Sequence, residues 1–349
     1  MLTLVPGEMG GSEQYARELC RALGAAGRVD AVAFVAPIAA AGADGLRTEV
    51  VREVPLAGSP FGKTRGMSAA MARRRSIRRR FGDVDVVHYP FTVPVPPLGL
   101  PTVITLQDLQ HLDLPDLFTR RKRVFRRVAY DRAARHADAV IVPSDFTRDR
   151  AIALLGLDPE RVITVHYGID HDTFAPSDVP REPFLLYPAR PWRHKNHDRL
   201  LQAFALLHRS HPHLKLVLTG GGTEALAGPD GVVARGAVPG SELVELYRRA
   251  SCVVFPSLYE GFGQPPLEAM ACGTPVAAST AGSLPEVCGD AAVLFDPLDV
   301  GAIASSVAEA LGRSAELSAL GLARAAAFTW DASAEGHERA YATAAHARS

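Results

Sequence analysis

Short runs of β-branched and aliphatic residues, each followed by a longer stretch with helical spacing, recur along almost the whole chain, and this alternation leaves few folds open to it. In the first half the runs are "VDAVAFVA", "DVVHYP", "TVITLQD", "AVIVPS" and "VITVHYG"; in the second they are "FLLYPAR", "LKLVLTG", "GVVARGAV", "CVVFPS", "PVAAS" and "AAVLF". Strands alternating with helices predict βαβ units in parallel sheets. The near-continuous apolarity of the second set fits strands covered on both faces. The intervening helices carry start and stop residues. "GGSEQYARELCRALG" predicts a helix capped by Ser12 and stopped at Gly24, and "PSDFTRDRAIALLG" one capped by Ser144 and closed by Gly156. "DRLLQAFALLHRS" and "SELVELYRRA" predict two more.

The pattern relaxes once, in the Pro- and Asp-rich stretch "GIDHDTFAPSDVPREPF". A chain of 349 residues also exceeds the size at which a single core usually keeps growing. The expected architecture is therefore α/β, with two doubly wound, Rossmann-like domains, residues 1–172 and 173–330, facing across a cleft at the carboxyl ends of their sheets. "MLTLVPG" gives a first strand of only about four residues against a usual five or six, so the true start of the protein is expected upstream.

Charge excludes little on the global scale, because Lys+Arg and Asp+Glu both total 38; no nucleic-acid partner is indicated. Locally, "RRRSIRRR" (Arg73 to Arg80) and "RRKRVFRR" (Arg120 to Arg127) read either as solvated helix faces or as a surface that meets anionic lipid or an anionic acceptor. Cys20, Cys252, Cys272 and Cys288 show no CxxC or metal-like spacing, which argues against a disulfide framework or a zinc site and for a reducing compartment. No apolar run approaches the length of a membrane span, and the N-terminus lacks the layout of a secretion signal. The expectation is a cytoplasmic protein with peripheral contact at the inner face of an anionic membrane.

The stretch "SLYEGFGQPPLEAMACGTPVAAST" sets Glu260 and Glu268 with seven residues between them. "CVVFPS" predicts a strand, "LYEGFGQ" a loop at the sheet's carboxyl edge, Pro266 the first turn of a helix and Gly273 its close. Gly261 and Gly263 allow close approach of backbone to a ligand, and the N–H groups near Leu267 make an anion site suited to phosphate. Glu268 is expected to project from that first turn. A carboxylate beside phosphate is repulsive unless aimed elsewhere, and sugar hydroxyls are its natural donors. Two carboxylates around a phosphate site therefore suit a ligand with rings on either side of a diphosphate, a nucleotide sugar. The plainer alternative is that Glu268 only complements the helix dipole and Glu260 is solvated.

"EGFGQPPLEAMACGTPVAAS" resembles the signature of the retaining glycosyltransferases of family four, which have the two-domain GT-B architecture. The resemblance implies that Glu260 contacts the donor sugar, that Glu268 takes the ribose hydroxyls, and that Gly261, Phe262, Gly263 and Leu267 line the donor. "YPARPWRHKNHDRLLQAF" resembles the family's strand, loop and helix bearing Arg190 and Lys195. Departure of the leaving group builds charge on a diphosphate, and two fixed cations can neutralise it without a metal. "PGEMGGSEQYARELCRAL" is similar to the family's first glycine-rich loop, with Gly10 and Gly11 approaching diphosphate or acceptor; "GAVPGSELVELYRRASCVVFPS" matches the segment that grips the base near Val238. The tail, residues 331–349, resembles the terminal helix that packs back towards the first domain. In "TVITLQDLQHLDLP" many relatives carry His-Asp where this chain has Gln107-Asp108. Gln107 cannot ionise, so a role needing imidazolium is lost or passes to His111. His88 is a further candidate on the acceptor or sugar side.

These implications amount to retaining transfer of a hexose from GDP-mannose, UDP-glucose or a similar donor to a hydroxyl of a glycan or lipid-linked acceptor, with no cofactor and no metal. Competing readings are weaker. "LKLVLTGGGTEA" has the G-x-G-x-x-A form of a dinucleotide fingerprint, but its acidic residue, Glu242, opens a helix and does not end a second strand, which disfavours an NAD-dependent dehydrogenase. Asp83/Asp85 and Asp170/Asp172 are D-x-D pairs, one at the wrong edge of its sheet and one in the linker. Gln107 motivates a catalytically inactive nucleotide-sugar-binding subunit, and an epimerase would need acid and base groups that the two glutamates do not supply.

Overall fold

In the computed structural model, which describes residues 1–41, 43–226 and 228–347, every paired strand runs parallel to its neighbour. The chain divides into two units, residues 1–168 with the segment from Trp330 onward, and residues 169–329. The first unit closes at Gly168 because the next residue, Ile169, already donates its N–H to Phe328 O of the second at 3.0 Å.

The first unit contains α1 (Gly11–Ala26), β1 (Val32–Val35), β2 (Arg47–Val50), α2 (Pro60–Ala72), α3 (Arg74–Arg80), β3 (Val87–Tyr89), β4 (Thr102–Thr105), α4 (Gln110–Asp113), α5 (Arg120–His136), β5 (Ala139–Val142), α6 (Asp145–Leu155) and β6 (Val162–Thr164). Its strands form two sheets, β1-β2 and β3-β4-β5-β6. α6 follows the expected design: Ser144 Oγ accepts from Thr147 N at 3.1 Å, and Gly156 closes the helix at φ 63°. α1 does not. Its N-cap is Gly10, without a side-chain cap, and Ser12 lies inside the helix. It runs through Gly24 to Gly27, where φ is 60°. Gly24 serves close packing and not termination, since a Cβ there would lie 2.0 Å from Gly45 O. The expected strand in "MLTLVPG" is also absent. Leu2, Leu4 and Val5 are buried, but the segment turns on itself, Leu4 N donating to Met1 O at 3.2 Å.

The second unit contains β7 (Glu182–Pro188), α7 (His197–Ser210), β8 (Lys215–Thr219), β9 (Val232–Ala234), α8 (Gly240–Arg249), β10 (Ala250–Phe255), α9 (Gln264–Ala271), β11 (Val276–Ser279), α10 (Leu284–Cys288), β12 (Ala292–Phe295), α11 (Val300–Gly312) and α12 (Ser314–Ala326). All six expected strands are present, in the order β12-β11-β10-β7-β8-β9, the doubly wound arrangement of a Rossmann-like sheet. Leu185, Leu186, Val253, Val254 and Ala277 are each 1% exposed or less, as helices on both faces require. α13 (Trp330–His346) returns to the first unit and packs on α1, β4 and β5. It approaches closely enough that a Cβ on Gly336 would meet Val165 Cγ1 at 2.7 Å.

Candidate active site

The strand order of the second unit fixes where a ligand can sit. From β7 the chain winds outward through β8 and β9; from β10 it winds the other way through β11 and β12. The loops leaving the carboxyl ends of β7 and β10 therefore diverge, and the crevice between them is the ligand position of such sheets. Lys195 comes from the first loop and Glu260 from the second. Lys195 Nζ lies 2.6 Å from Glu260 Oε1, and the two side chains are only 14% and 13% exposed.

The lysine is held from several sides. Its carbonyl accepts from Tyr187 OH at 2.6 Å, its ammonium lies 5.1 Å from the centre of the Phe255 ring, and Leu258 N donates to His194 O at 2.7 Å, tying the two loops together. The next residue, Asn196, takes a left-handed conformation, φ 59°, and its side-chain amide donates to Pro256 O at 3.0 Å and Pro297 O at 2.7 Å. A short amide side chain tolerates that conformation and anchors it. Sequence reading passed over Asn196; its place directly ahead of a helix, where Asn is a strong cap candidate, was the available signal.

Glu260 is fixed through its backbone. Its carbonyl accepts from Ser283 N at 3.2 Å, and Ser283 Oγ lies 3.1 Å from the same oxygen and 2.5 Å from Phe262 O. Gly282, φ 65°, lets this strap close: a Cβ there would lie 2.6 Å from Glu260 O and 2.7 Å from its N. Gly263, φ 108°, is the N-cap of α9, and a Cβ on it would lie 2.8 Å from Leu284 Cδ2.

Two expectations about α9 need correction. The helix begins at Gln264, so its four positions without an intrahelical acceptor are residues 263–266, and Leu267 falls past them. Pro265 and Pro266 have no N–H, which leaves the amides of Gly263 and Gln264 to face an anion. Glu268 likewise lies beyond the first turn. It is 6% exposed, and its Oε2 accepts from the OH of the fully buried Tyr247 on α8 at 2.9 Å. Burial and the neighbouring carboxylate push the Tyr247 hydroxyl pKa well above its ordinary value, so it remains a donor.

The other residues singled out in this unit line the same carboxyl edge. Arg190 is exposed, stacks 5.9 Å from the Trp192 ring and forms no ion pair among the described residues. Gly220, φ 120°, lets the loop after β8 press on Ala189 and Arg190, where a Cβ would lie 2.8 to 2.9 Å from backbone atoms. Gly220 N donates to Gly236 O at 2.7 Å, and Gly236 N to Thr223 Oγ1 at 3.1 Å. These bonds set the half-buried Val238 just ahead of α8.

In the first unit, Gly10, φ 53°, and Gly11 open α1 with nothing within 4 Å of where a Cβ would stand. His88 belongs to an internal chain whose donors can be assigned from one end. Ser333 O can only accept, so His337 Nδ1 donates to it at 2.7 Å and His337 Nε2 accepts from Tyr15 OH at 2.7 Å. Tyr15 then accepts from Thr105 Oγ1 at 2.7 Å, Thr105 accepts from His88 Nε2 at 2.8 Å, and His88 Nδ1 accepts from Tyr341 OH at 3.1 Å. Burial holds the pKa of His337 at about 4 and that of His88 well below its usual value, consistent with two neutral rings. Gln107 accepts from Tyr167 OH and donates to Pro90 O at 3.4 Å. Asp108 accepts from Arg126 at 3.0 Å. His111 is fully buried and bonded to Asp131 at 3.2 Å, so it is not placed to take over a surface role from Gln107. Asp170 accepts from Asp172 N and Thr173 N within its own turn. Among the described residues no group of three or more His, Cys, Asp or Glu is gathered as metal ligands would be.

Residues 170–321 match the family model described as glycosyl transferases group 1, and residues 9–173 match glycosyltransferase family 4. The chain is 31% identical over 256 residues to O-antigen chain mannosyltransferase B of Escherichia coli, covering 66% of this chain and 67% of that one. It is 34% identical over 214 residues to a D-inositol 3-phosphate glycosyltransferase of Mycobacterium sp. (strain JLS), covering 54% of this chain and 48% of that one. The chain thus spans about half the length of the latter relative. The structure is similar to that of Anabaena HepE in complex with UDP and glucose, with a TM-score of 0.73 over 96% of this chain and 97% of that one at 18% identity.

Proposed function

Because the chain belongs to the group 1 and family 4 glycosyltransferases, we propose that it transfers a hexose, with retention at the anomeric carbon, from a nucleoside-diphosphate sugar to a hydroxyl of a glycan or lipid-linked acceptor. The observation that carries this reading is the Lys195–Glu260 pair at the switch point of the second sheet. An ammonium and a carboxylate fixed side by side there match a ligand whose anionic diphosphate adjoins a hydroxylated sugar.

In this reading Lys195 and Arg190, with the N–H groups of Gly263 and Gln264, receive the diphosphate. An ammonium has three donors, so Lys195 can keep Glu260 while meeting a phosphate oxygen. Glu260 accepts from sugar hydroxyls and orients the ring. Glu268, ordered by Tyr247, accepts from the ribose, and Val238 lies where backbone grips the base. As the bond from the anomeric carbon to the phosphate oxygen breaks, charge develops on the diphosphate beside the two cations and is stabilised there without a metal ion. The acceptor oxygen bonds to the same face, and its proton passes to the departing phosphate. The mannosyltransferase relative and the UDP and glucose held by HepE support GDP-mannose and UDP-glucose as the donors to try first.

Peripheral docking on anionic membrane is part of the proposal. On α5, Phe125 is 62% and Val128 63% exposed among Arg120, Arg121, Lys122 and Arg127. Four basic residues open this helix at its positive end, where an anionic partner would relieve the repulsion.

Thermal shift against nucleoside diphosphates and their sugar conjugates identifies the donor by the rise it causes. NMR of the transfer product then reads its anomeric configuration. An α-linked product from an α-linked donor supports the reading; inversion overturns the stereochemistry, and binding without turnover assigns an inactive binding subunit instead.

A further inference from the structure

The parallel strands of the first unit are divided between two sheets. β1 pairs with β2 and β3 with β4, but among the described residues no strand pairs with the facing edges of β1 and β3. Between those edges lies a cavity of about 790 Å³, lined by Val32, Ala33 and Phe34 on one side and Val87, His88 and Tyr89 on the other. Unpaired strand edges facing a mostly apolar cavity leave rows of backbone groups that an acyl chain cannot satisfy, while the apolar walls suit a hydroxylated sugar poorly; an apolar strand meets both.

Topology and the position of Met1 indicate which strand. α1 enters β1 with no strand before it. A strand in the cavity, running parallel to β1 and leading into α1, would make α1 the crossover of a right-handed βαβ unit. The order would become β2-β1-new-β3-β4-β5-β6, a single doubly wound sheet like that of the second unit. Met1 already stands at the upper end of the cavity, its amine donating to Phe34 O at 2.8 Å, the bond an added strand would make. As an ammonium it is misplaced, since burial lowers its pKa to about 6; as a peptide N–H it would be an ordinary ladder donor. A strand residue in a packed sheet occupies about 160 Å³, from a spacing of about 4.8 Å, a rise of about 3.3 Å and a layer separation of about 10 Å.

We propose that this cavity is a strand slot, filled by about four to six apolar residues of this polypeptide immediately ahead of Met1, paired in parallel with β1 and β3. The inference is independent of the catalytic reading, because it concerns the first unit's core.

Intact mass and N-terminal sequencing of the protein isolated from the cells that encode it read its first residue. The expected result is a start at least about four residues upstream of Met1, with apolar residues next to it; a native protein that starts at Met1 overturns the proposal. Comparing the 349-residue chain with one carrying the residues encoded just upstream adds a physical readout. Amide exchange at residues 32–35 and 87–89 is expected to slow roughly ten-fold or more in the longer chain. The melting point is expected to rise by roughly 5 °C, and proline in the middle of the added segment to reverse both effects. Unchanged exchange in the longer chain, or equal protection of the short chain by a lipid or a second copy, would assign the cavity to another occupant.

Discussion

The ammonium of Lys195 and the carboxylate of Glu260 are 2.6 Å apart although they lie 65 positions apart in the sequence. They meet because their strands, β7 and β10, are neighbours at the point where the sheet reverses its winding. Each then has a separate brace, Asn196 behind the lysine and Ser283 behind the glutamate.

Replacing Glu260 tests the sugar side of the pair. Glu260→Gln keeps a hydrogen-bond acceptor but removes the charge, and kcat for transfer is expected to fall by about 10²–10³, with a smaller change in the donor's KM. Stability should drop by about 1–3 kcal/mol as Lys195 loses its charged partner. Steady-state kinetics together with urea unfolding separate the two effects.

Gly282→Ala tests whether the position of the Glu260 backbone matters. The new Cβ would meet Glu260 O and N at 2.6 and 2.7 Å, in a residue with φ 65°. A loss of about 1–3 kcal/mol is expected, together with a fall in kcat. Retention of full activity and stability would show that the strap has no role in placing Glu260.

Acid should weaken the fold through its buried histidines. Burial lowers the pKa of His337 and of His197 from 6.5 to about 4. The unfolded chain therefore binds more protons than the folded one between these values, and stability, full above pH 6.5, is lost as pH falls towards 4. The slope is expected to reach about 1.4 kcal/mol per pH unit for each such histidine. Urea unfolding from pH 7.5 to 4.5 reads it, and His337→Gln should flatten it.

The exposed face of α5 makes the membrane reading specific. Phe125→Ser with Val128→Ser should reduce flotation with vesicles containing anionic lipid, and so should raised salt. Transfer to a soluble acceptor should be unaffected. Equal flotation with neutral and anionic vesicles would remove the electrostatic part of the proposal.

Much of the second unit was legible in the sequence, because buried parallel strands are continuous apolar runs bounded by turns, and "CVVFPS" or "LKLVLTG" admits few other readings. Local capping chemistry was also readable at Ser144 and Gly156. The failures came where tertiary contact decided. Gly24 resembled a stop signal but is small because Gly45 crosses it. β2, "RTEV", alternates with polar residues and offered no apolar run. Glu268 was expected at the helix mouth, but its burial depends on Tyr247, 21 residues earlier on another helix. The pairing of Lys195 with Glu260 had no local signature; only the family resemblance placed both at one site. "MLTLVPG" was expected as a short first strand, but in the structure it turns on itself beside the cavity between β1 and β3.

The most direct test of the donor site is calorimetric titration of wild type and Lys195→Ala with the preferred nucleoside diphosphate and with its nucleoside. If Lys195 holds the diphosphate, its removal should raise Kd for the diphosphate by about ten- to a hundred-fold and leave nucleoside binding nearly unchanged. Equal diphosphate affinity in the two proteins would contradict the assignment of this pair as the donor site.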